Sequence, residues 1–307
     1  MTVITAPGLY THVDAATYHA DRLCPDVSLN NSVAQVLVDL SPAHAWAAHP
    51  RLNPNQKPEK SRRLDLGSVA HALLLGKSRD IVEIEFGDYR KKEAQELRDD
   101  AIERGKLPVL SDDLSVALNM ADIARKAIAE HEYLTWLFPD VFTPDVHSEA
   151  IIAWREGDEW CRSMIDRIAV NGRTLVMDYK TCTCAEPEVA TRHLYDMGYH
   201  FQEAFYTRGL DAVFPESAGR RKFLFLFQEI KPPFACSVLE VDGAGKAMAA
   251  RKVDCAIARW QSCRRNDHWP SYSTMTHIAS MPGFMEHKQL QREMEDEARG
   301  AALLPAM

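Results

Sequence analysis

Several features that would define a function class are missing from this sequence. The seven cysteines contain no C-x-x-C pair and no four-ligand set, which predicts reduced thiols and neither a zinc site nor an iron–sulfur cluster. No apolar run reaches about 18 residues, and no basic, then apolar, signal sequence opens the chain. No G-x-x-x-x-G-K-[ST] motif encodes an ATP-driven motor. We therefore expect a cytoplasmic protein that has no membrane association and uses no ATP.

An excess of basic charge is also missing. The chain has 36 basic and 44 acidic residues, a formal net charge of −8. This balance argues mildly against a nucleic-acid partner. It does not exclude one, because a basic groove can be local and a metal site adds carboxylates.

The order of the predicted elements indicates an α/β protein. Helices come first, then a meander of three strands, a helix, a strand pair and a last long helix, which together predict a mixed central sheet flanked by helices. Neither an internal repeat nor a linker rich in Gly, Ser or Pro divides the chain. We predict one domain over residues 1–307, with an irregular arm (1–30), a core (31–272) and a charged tail (273–307).

The meander carries the most informative side chains. Period-two patterns predict strands over 148–154, 160–170 and 174–180. Asp166 lies on the second strand, and Asp178 and Lys180 share one face of the third. Two carboxylates can hold Mg²⁺, or Mn²⁺ in its place, beside a lysine that assists an attacking water, as a phosphodiester hydrolase requires. The alternative is a structural ion pair on a sheet.

The hairpin between these strands provides a geometric test. A two-residue turn at Asn171-Gly172 would pair Val170 with Arg173 and place Asp166 and Asp178 on opposite faces. A three-residue connection, or one bulge, would pair the two aspartates instead. The hydrolase hypothesis therefore predicts that this connection is not a plain two-residue turn.

Four segments together resemble the PD-(D/E)XK nuclease superfamily, and within it the RecE-type (exonuclease VIII) and lambda-exonuclease group of the RecB-like branch. The segments are Gly67-Ser68-Val69-Ala70-His71, the strand with Asp166, Asp178-Tyr179-Lys180-Thr181 and Gln202-Glu203-Ala204-Phe205-Tyr206. The resemblance implies a restriction-endonuclease-like core. Ile165 stands where the superfamily has its leading proline, and this difference removes no catalytic group.

The resemblance also implies roles for individual residues. Asp166, Asp178, His71 and the main-chain carbonyl of Tyr179 resemble the metal ligands, with Glu149 as a less certain one. Lys180 resembles the residue that orients or activates water. Gln202 and Tyr206 match a Q-x-x-x-Y motif near the site, and their spacing lets both face one groove. Alone, His71 among aliphatic residues would be expected to be a hydrogen-bonded core histidine.

The implied activity is Mg²⁺-dependent, ATP-independent 5′→3′ degradation of one strand of linear duplex DNA. It implies a ring-shaped homo-oligomer, a trimer or tetramer, that works with a RecT-like single-strand annealing recombinase in phage recombination. Basic residues that could contact DNA are equally well explained as solvated surface. They are Arg62, Arg63, Arg220, Arg221, Lys222, Lys252 and Arg259.

Two other functions stay open. One is a nuclease of the same fold with another polarity or a preference for single strands. The other is a non-catalytic module on a nuclease scaffold that binds DNA or protein, which the intact set of Asp166, Asp178 and Lys180 disfavours.

Overall fold

The computed structural model describes residues 3–11, 13–55, 66–76, 80–139, 143–170 and 174–303. The helices in these ranges are α1 (Ala15–His19), α2 (Asn31–Asp39), α3 (Pro42–Ala48), α4 (Leu66–Leu74), α5 (Lys92–Glu103), α6 (Ser111–Glu130), α7 (Pro187–Asp196), α8 (Tyr199–Val213), α9 (Gly243–Asn266) and α10 (Gly283–Leu303). The strands are β1 (Gly8–Tyr10), β2 (Ser28–Asn30), β3 (Ile81–Ile84), β4 (Leu107–Leu110), β5 (Val146–Glu156), β6 (Glu159–Val170), β7 (Thr174–Cys182), β8 (Lys222–Glu229) and β9 (Cys236–Leu239).

Seven of the described strands form one mixed sheet. The order is β1-β5-β6-β7-β8-β9. Strand β2 pairs with the first residues of β6, whereas β7 pairs with its last residues. The contacts β2–β6 and β7–β8 are parallel, and the other neighbours are antiparallel. Strands β3 and β4 form a separate parallel pair. The predicted meander and mixed sheet are therefore confirmed.

Both faces of the central sheet are covered, as the alternation along β8 shows. Phe223, Phe225 and Phe227 enter a core with α2, α8 and α9, whereas Leu224 and Leu226 enter a core with α4 and α6. Successive strand residues point to opposite faces, so a strand buried on both sides reads as a continuous apolar run. This placement brings α4 and α8 to opposite faces of β7.

Two sequence expectations need correction. The first 30 residues are not simply irregular, because β1 and β2 join the sheet and α1 lies between them. The single helix predicted between the meander and the strand pair is two helices, α7 and α8, separated at Gly198. That residue has a φ of +71°, a left-handed conformation that glycine adopts at little cost.

The chain falls into two compact units, Met1–Ser271 and Tyr272–Met307. The second contains α10, whose side chains are exposed through residue 300. Within the described ranges, the helices are too short or too polar to cross a membrane.

Candidate active site

The register of β6 and β7 brings the two predicted aspartates together. Val170 pairs with Thr174 and Arg167 with Met177, so the next position places Asp166 opposite Asp178. Residues 171–173 lie outside the described residues, but three residues between paired positions exclude a plain two-residue turn. The prediction of an odd connection is confirmed, and both carboxylates belong on one face.

The two strands separate at these aspartates. The β6–β7 ladder ends at Arg167 and Met177, and farther along β6 the same edge pairs with β2 at Trp160–Arg162. The Tyr179 N–H donates to Asp166 Oδ2 at 2.9 Å. A side-chain carboxylate thus accepts a main-chain hydrogen bond where the sheet opens.

Lys180 lies directly beside Asp178. Its Nζ is 2.5 Å from Asp178 Oδ1, and the exposed fractions of the two side chains are 19% and 2%. The same Nζ lies 4.5 Å from the ring centre of Tyr199, at the start of α8. The lysine is thereby aimed by a carboxylate and an aromatic face, and it keeps access to solvent.

His71 reaches the site from α4 on the other side. Its Nε2 is 3.1 Å from Asp166 Oδ2, and 27% of its side chain is exposed. Its ring also packs against Tyr179, with centroids 6.2 Å apart. The structure therefore places His71 at the acids, as the family resemblance implies, and not in an apolar core.

The environment drives the pKa values of the two aspartates apart. Burial raises the pKa of Asp178 to about 6, although Lys180 opposes the shift. Burial also acts to raise the pKa of Asp166, but the charge and hydrogen bond of His71, together with Lys180 and the Tyr179 N–H, outweigh it and lower that pKa. Burial lowers the pKa of Lys180 less than the two carboxylates raise it, so it stays cationic.

The Q-x-x-x-Y pair lies behind Asp178. The Gln202 Nε2 donates a short hydrogen bond to Asp178 Oδ2. The Tyr206 hydroxyl interacts with Gln202, and its ring packs on Phe223. Both residues are buried, so they position Asp178 and do not line an open groove.

Glu149 completes a line of three acids across β5, β6 and β7. Its neighbours pair as Ser148 with Arg167 and Ala150 with Ile165, which places Glu149 across from Asp166. Glu149 has a φ of +47°. Left-handed backbone at a residue with a Cβ costs about 1–3 kcal/mol and clusters at functional sites. We call Glu149, Asp166 and Asp178 the acid row.

Comparison with known proteins identifies the family. Residues 31–280 match the family described as "PDDEXK-like domain of unknown function (DUF3799)". The chain belongs to this family. The resemblance to the PD-(D/E)XK superfamily is confirmed, whereas the RecE-type assignment stays a prediction. A comparison with curated proteins finds no match.

A solved structure supports the fold. A "Putative exonuclease" from Eubacterium rectale is 11% identical and aligns over 89% of this chain and 96% of its own, with a TM-score of 0.54. At this identity the likeness concerns the fold alone. A second structure, SSO0001, aligns over 66% of this chain and 78% of its own at 12% identity, with a TM-score of 0.25 that carries no argument.

In this PDDEXK-like chain, a cleft of about 1040 Å³ is lined by Glu149 of the acid row and by His71 and Lys180, which contact Asp166 and Asp178. One wall contains Gly67, Ser68 and His71 of α4, and Tyr179 and Lys180 of β7. The facing segments come from the arm and from the region of β3 and β4. Their residues include Thr11, Val13, Asp14, His19, Asp80, Arg104 and Leu107. Lys180 is therefore accessible from the cleft.

The donor set fits a divalent metal ion. Carboxylate oxygens, an imidazole and a main-chain carbonyl are ligands that Mg²⁺ or Mn²⁺ accepts. Asp178 Oδ1 is buried and contacts the Lys180 ammonium, and His71 shares Asp166 Oδ2 with a main-chain N–H. Among the described residues, no three His, Cys, Asp or Glu side chains are arranged so that they could hold a metal ion. His71 and Lys180 instead pair with the carboxylates directly.

The predicted DNA contacts are mostly held by the protein itself. Arg221 is nearly buried and donates to the carbonyls of Leu210 and Phe214, so it holds the end of α8 and is no longer expected to contact DNA. The others in the described ranges lie outside the lining of the cleft: Arg220 bonds Glu216, Lys222 pairs with Glu240, Lys252 with Asp39, and Arg259 bonds Leu37. Arg62 and Arg63 lie outside the described residues.

Sequence reasoning missed one residue of the site, Tyr199. It lies three positions before Gln202, on the same side of α8. A signal was therefore present, but an aromatic residue at helical spacing is more often part of a core, and Tyr199 also packs on Phe225. Its contact with Lys180 depends on where β7 lies, which periodicity cannot predict.

Proposed function

We propose that this protein is a metal-dependent exodeoxyribonuclease that hydrolyses linear duplex DNA. The single observation that carries the proposal is an open cleft lined by Glu149, His71 and Lys180, the last two of which contact Asp166 and Asp178 directly. Structural ion pairs explain buried acids, but they do not require solvent access. Family membership and the fold shared with a protein named as an exonuclease are consistent with this activity.

Asp166, Asp178, His71 and the Tyr179 carbonyl would hold Mg²⁺, with Glu149 at the edge of the set. When bound, the metal polarises a phosphate oxygen and acidifies a water molecule. Asp178 is held by Gln202, and Asp166 by the Tyr179 N–H, so the carboxylates are oriented before substrate arrives. Lys180 Nζ can orient the attacking water by a hydrogen bond or stabilise negative charge on the phosphate.

The finer part of the proposal is 5′→3′ degradation of one strand, independent of ATP, leaving 3′ overhangs for a RecT-like annealing protein. It rests on the resemblance of the four sequence segments to the RecE-type group. The same resemblance supports a trimeric or tetrameric ring, in which weak local contacts act repeatedly on one duplex. Light scattering of the purified protein measures the subunit number.

The test uses linear duplex DNA labelled at the 5′ or the 3′ end, with Mg²⁺ or with EDTA. We expect Mg²⁺-dependent loss of duplex, early release of the 5′ label and retention of the 3′ label. Lys180→Ala should slow the loss by about 10²-fold or more. Lys92→Ala is a matched control, because Lys92 also pairs with an acid (Glu96) but lies on the exposed α5.

Each alternative gives a distinct result. Early release of the 3′ label, or degradation of single strands only, would assign the other polarity or substrate preference. DNA binding without any metal-dependent cleavage would identify a non-catalytic module and refute both enzymatic hypotheses.

A further inference from the structure

A partly buried polar relay links the two sides of the candidate metal site. Ser148 immediately precedes Glu149 on β5, and Arg167 immediately follows Asp166 on β6. Arg167 Nη1 donates to Ser148 Oγ at 2.6 Å. Ser148 Oγ donates to the Leu75 carbonyl at 3.1 Å. The Leu75 N–H donates to the His71 carbonyl at 3.0 Å, so the chain of contacts ends at the site histidine.

At the relay, the side chains of β5 that face one core of the protein before Glu149 face the other core after it. On β5, Val146 packs in the core with α4 and α6, whereas Ala150, at the same parity, packs in the core with α8 and α9. In a regular strand, residues four apart share a face. The left-handed backbone of Glu149 produces this change, and Ser148 is the last residue before it.

Arg167 is held as a cation without a carboxylate partner among the residues that the structure describes. Its Nε donates to the Leu137 carbonyl at 2.6 Å, and its guanidinium lies 4.8 Å from the ring centre of Phe138. Burying a guanidinium is costly unless its hydrogen bonds are fixed. These contacts therefore give Arg167 one geometry, and Ser148 receives its hydrogen bond from a rigid donor.

We propose that Ser148 and Arg167 are positioning residues that set the distance from His71 to the acid row and thereby the affinity for the divalent metal. The inference rests on the proposed function. Ser148 fixes the carbonyl that follows the His71 helix, and the same hydroxyl fixes the strained step at Glu149. Loss of the relay allows α4 and β5 to shift independently, which separates the ligands without changing any of them.

The experiment measures Mn²⁺ binding by calorimetry on the full chain, free of DNA, in wild type and Ser148→Ala. Removing a group that orients metal ligands commonly weakens metal affinity by about 10- to 100-fold, and we expect a loss in that range. Ser148→Thr keeps the hydroxyl and should restore most of the affinity. Ser115→Ala is the matched control, because it also removes a hydroxyl bonded to a main-chain carbonyl, at an exposed position of α6.

A second readout separates positioning from general damage. At saturating Mg²⁺ the cleavage rate of Ser148→Ala should return to within about threefold of wild type, because the ligands themselves remain. Arg167→Lys should resemble Ser148→Ala, since an ammonium lacks the guanidinium fork that bonds two groups at once. Thermal unfolding confirms that each variant is folded.

The outcomes distinguish this inference from the proposed function. If wild type binds Mn²⁺ through Asp178, as shown by loss of binding in Asp178→Asn, and Ser148→Ala binds equally well, the relay has no positioning role. Equal weakening in Ser148→Thr and Ser148→Ala also overturns it. If wild type shows no Asp178-dependent binding, the proposed metal site itself fails and the inference fails with it.

Discussion

Two buried clusters of acids and bases lie in the same unit of this protein, and they differ in access. In the first, Asp21 contacts Arg162, Ser28 and His49, and the side chains of Asp21, Arg162 and His49 are fully buried. Both oxygens of Asp21 have partners. In the second, Glu149, His71 and Lys180 line an open cleft, and His71 and Lys180 contact Asp166 and Asp178.

The difference separates structural charge from functional charge. Each cluster contains an acid with left-handed backbone, Asp21 at a φ of +55° and Glu149 at +47°. Strain and burial are therefore common to both. Only the second cluster, the one with Lys180, combines strain and burial with solvent access and with an opened sheet edge. A buried ionic cluster indicates a reactive site only when something can reach it.

The largest expected effect is on stability in the closed cluster. Arg162→Met removes the cation at 2.6 Å from Asp21 and leaves the buried carboxylate with Arg51, at 3.9 Å, as its nearest arginine. We expect the free energy of unfolding to fall by about 3–5 kcal/mol, measured by urea denaturation. Adding Asp21→Asn to this variant should recover part of the loss. A loss below about 1 kcal/mol would show that this cluster is not structural.

In the open cluster, the corresponding change should affect catalysis and spare the fold. Lys180→Met should slow cleavage about 10²- to 10³-fold, as for other groups that stabilise charge in the reaction. The free energy of unfolding should change by only about 1 kcal/mol, because Asp178 can take up a proton once the lysine is gone. Stopped-time cleavage assays and urea denaturation test the two parts. A stability loss as large as that of Arg162→Met would show that Lys180 has a structural role like that of Arg162.

Asp178 should make stability depend on pH. Burial raises its pKa to about 6 from an ordinary value of 3.8. The folded protein therefore binds the Asp178 proton more tightly than the unfolded chain does. The resulting contribution to stability is complete below pH 4 and is lost as the pH rises through 6. Relative to Asp178→Asn, wild type should lose roughly 2 kcal/mol of stability between pH 4 and pH 7 in the absence of metal. A difference that is constant with pH contradicts the raised pKa.

The smallest expected effect concerns Tyr199. Its ring lies 4.5 Å from Lys180 Nζ, and such a contact contributes about 0.5–2 kcal/mol. Tyr199→Leu should slow cleavage by about two- to thirtyfold with little change in substrate affinity. Tyr199→Phe keeps the aromatic face and should retain most of the rate. If both variants behave alike, the ring does not position the lysine.

The sequence predicted the open cluster far better than the closed one. The acids and Lys180 lie on strongly periodic strands, and the hydrolase hypothesis required an odd connection that puts Asp166 and Asp178 on one face, which the register confirms. The Asp21 cluster was missed because its partner Arg162 is distant in the chain and β2 is only three residues long. Short strands that pair far away leave little local signal.

The internal geometry of the site was also only partly predictable. Gln202 and Tyr206 were expected to face a groove, but they support Asp178 from behind, because α8 packs over β7. The left-handed step at Glu149 depends on contacts from α4 and β6 that no local pattern contains. The sequence therefore predicted which residues form the site and their order along the chain. The direction in which each side chain points, and its access to solvent, required the fold.

The spacing between β6 and β7 has an evolutionary consequence. Three residues separate Val170 from Thr174, and one more or one fewer would turn Asp178 away from Asp166. Substitutions in this connection can accumulate without moving the aspartates. Single-residue insertions and deletions cannot, unless a compensating bulge arises. Active relatives should therefore differ here by an even number of residues, so that gap length, more than residue identity, records selection on the site.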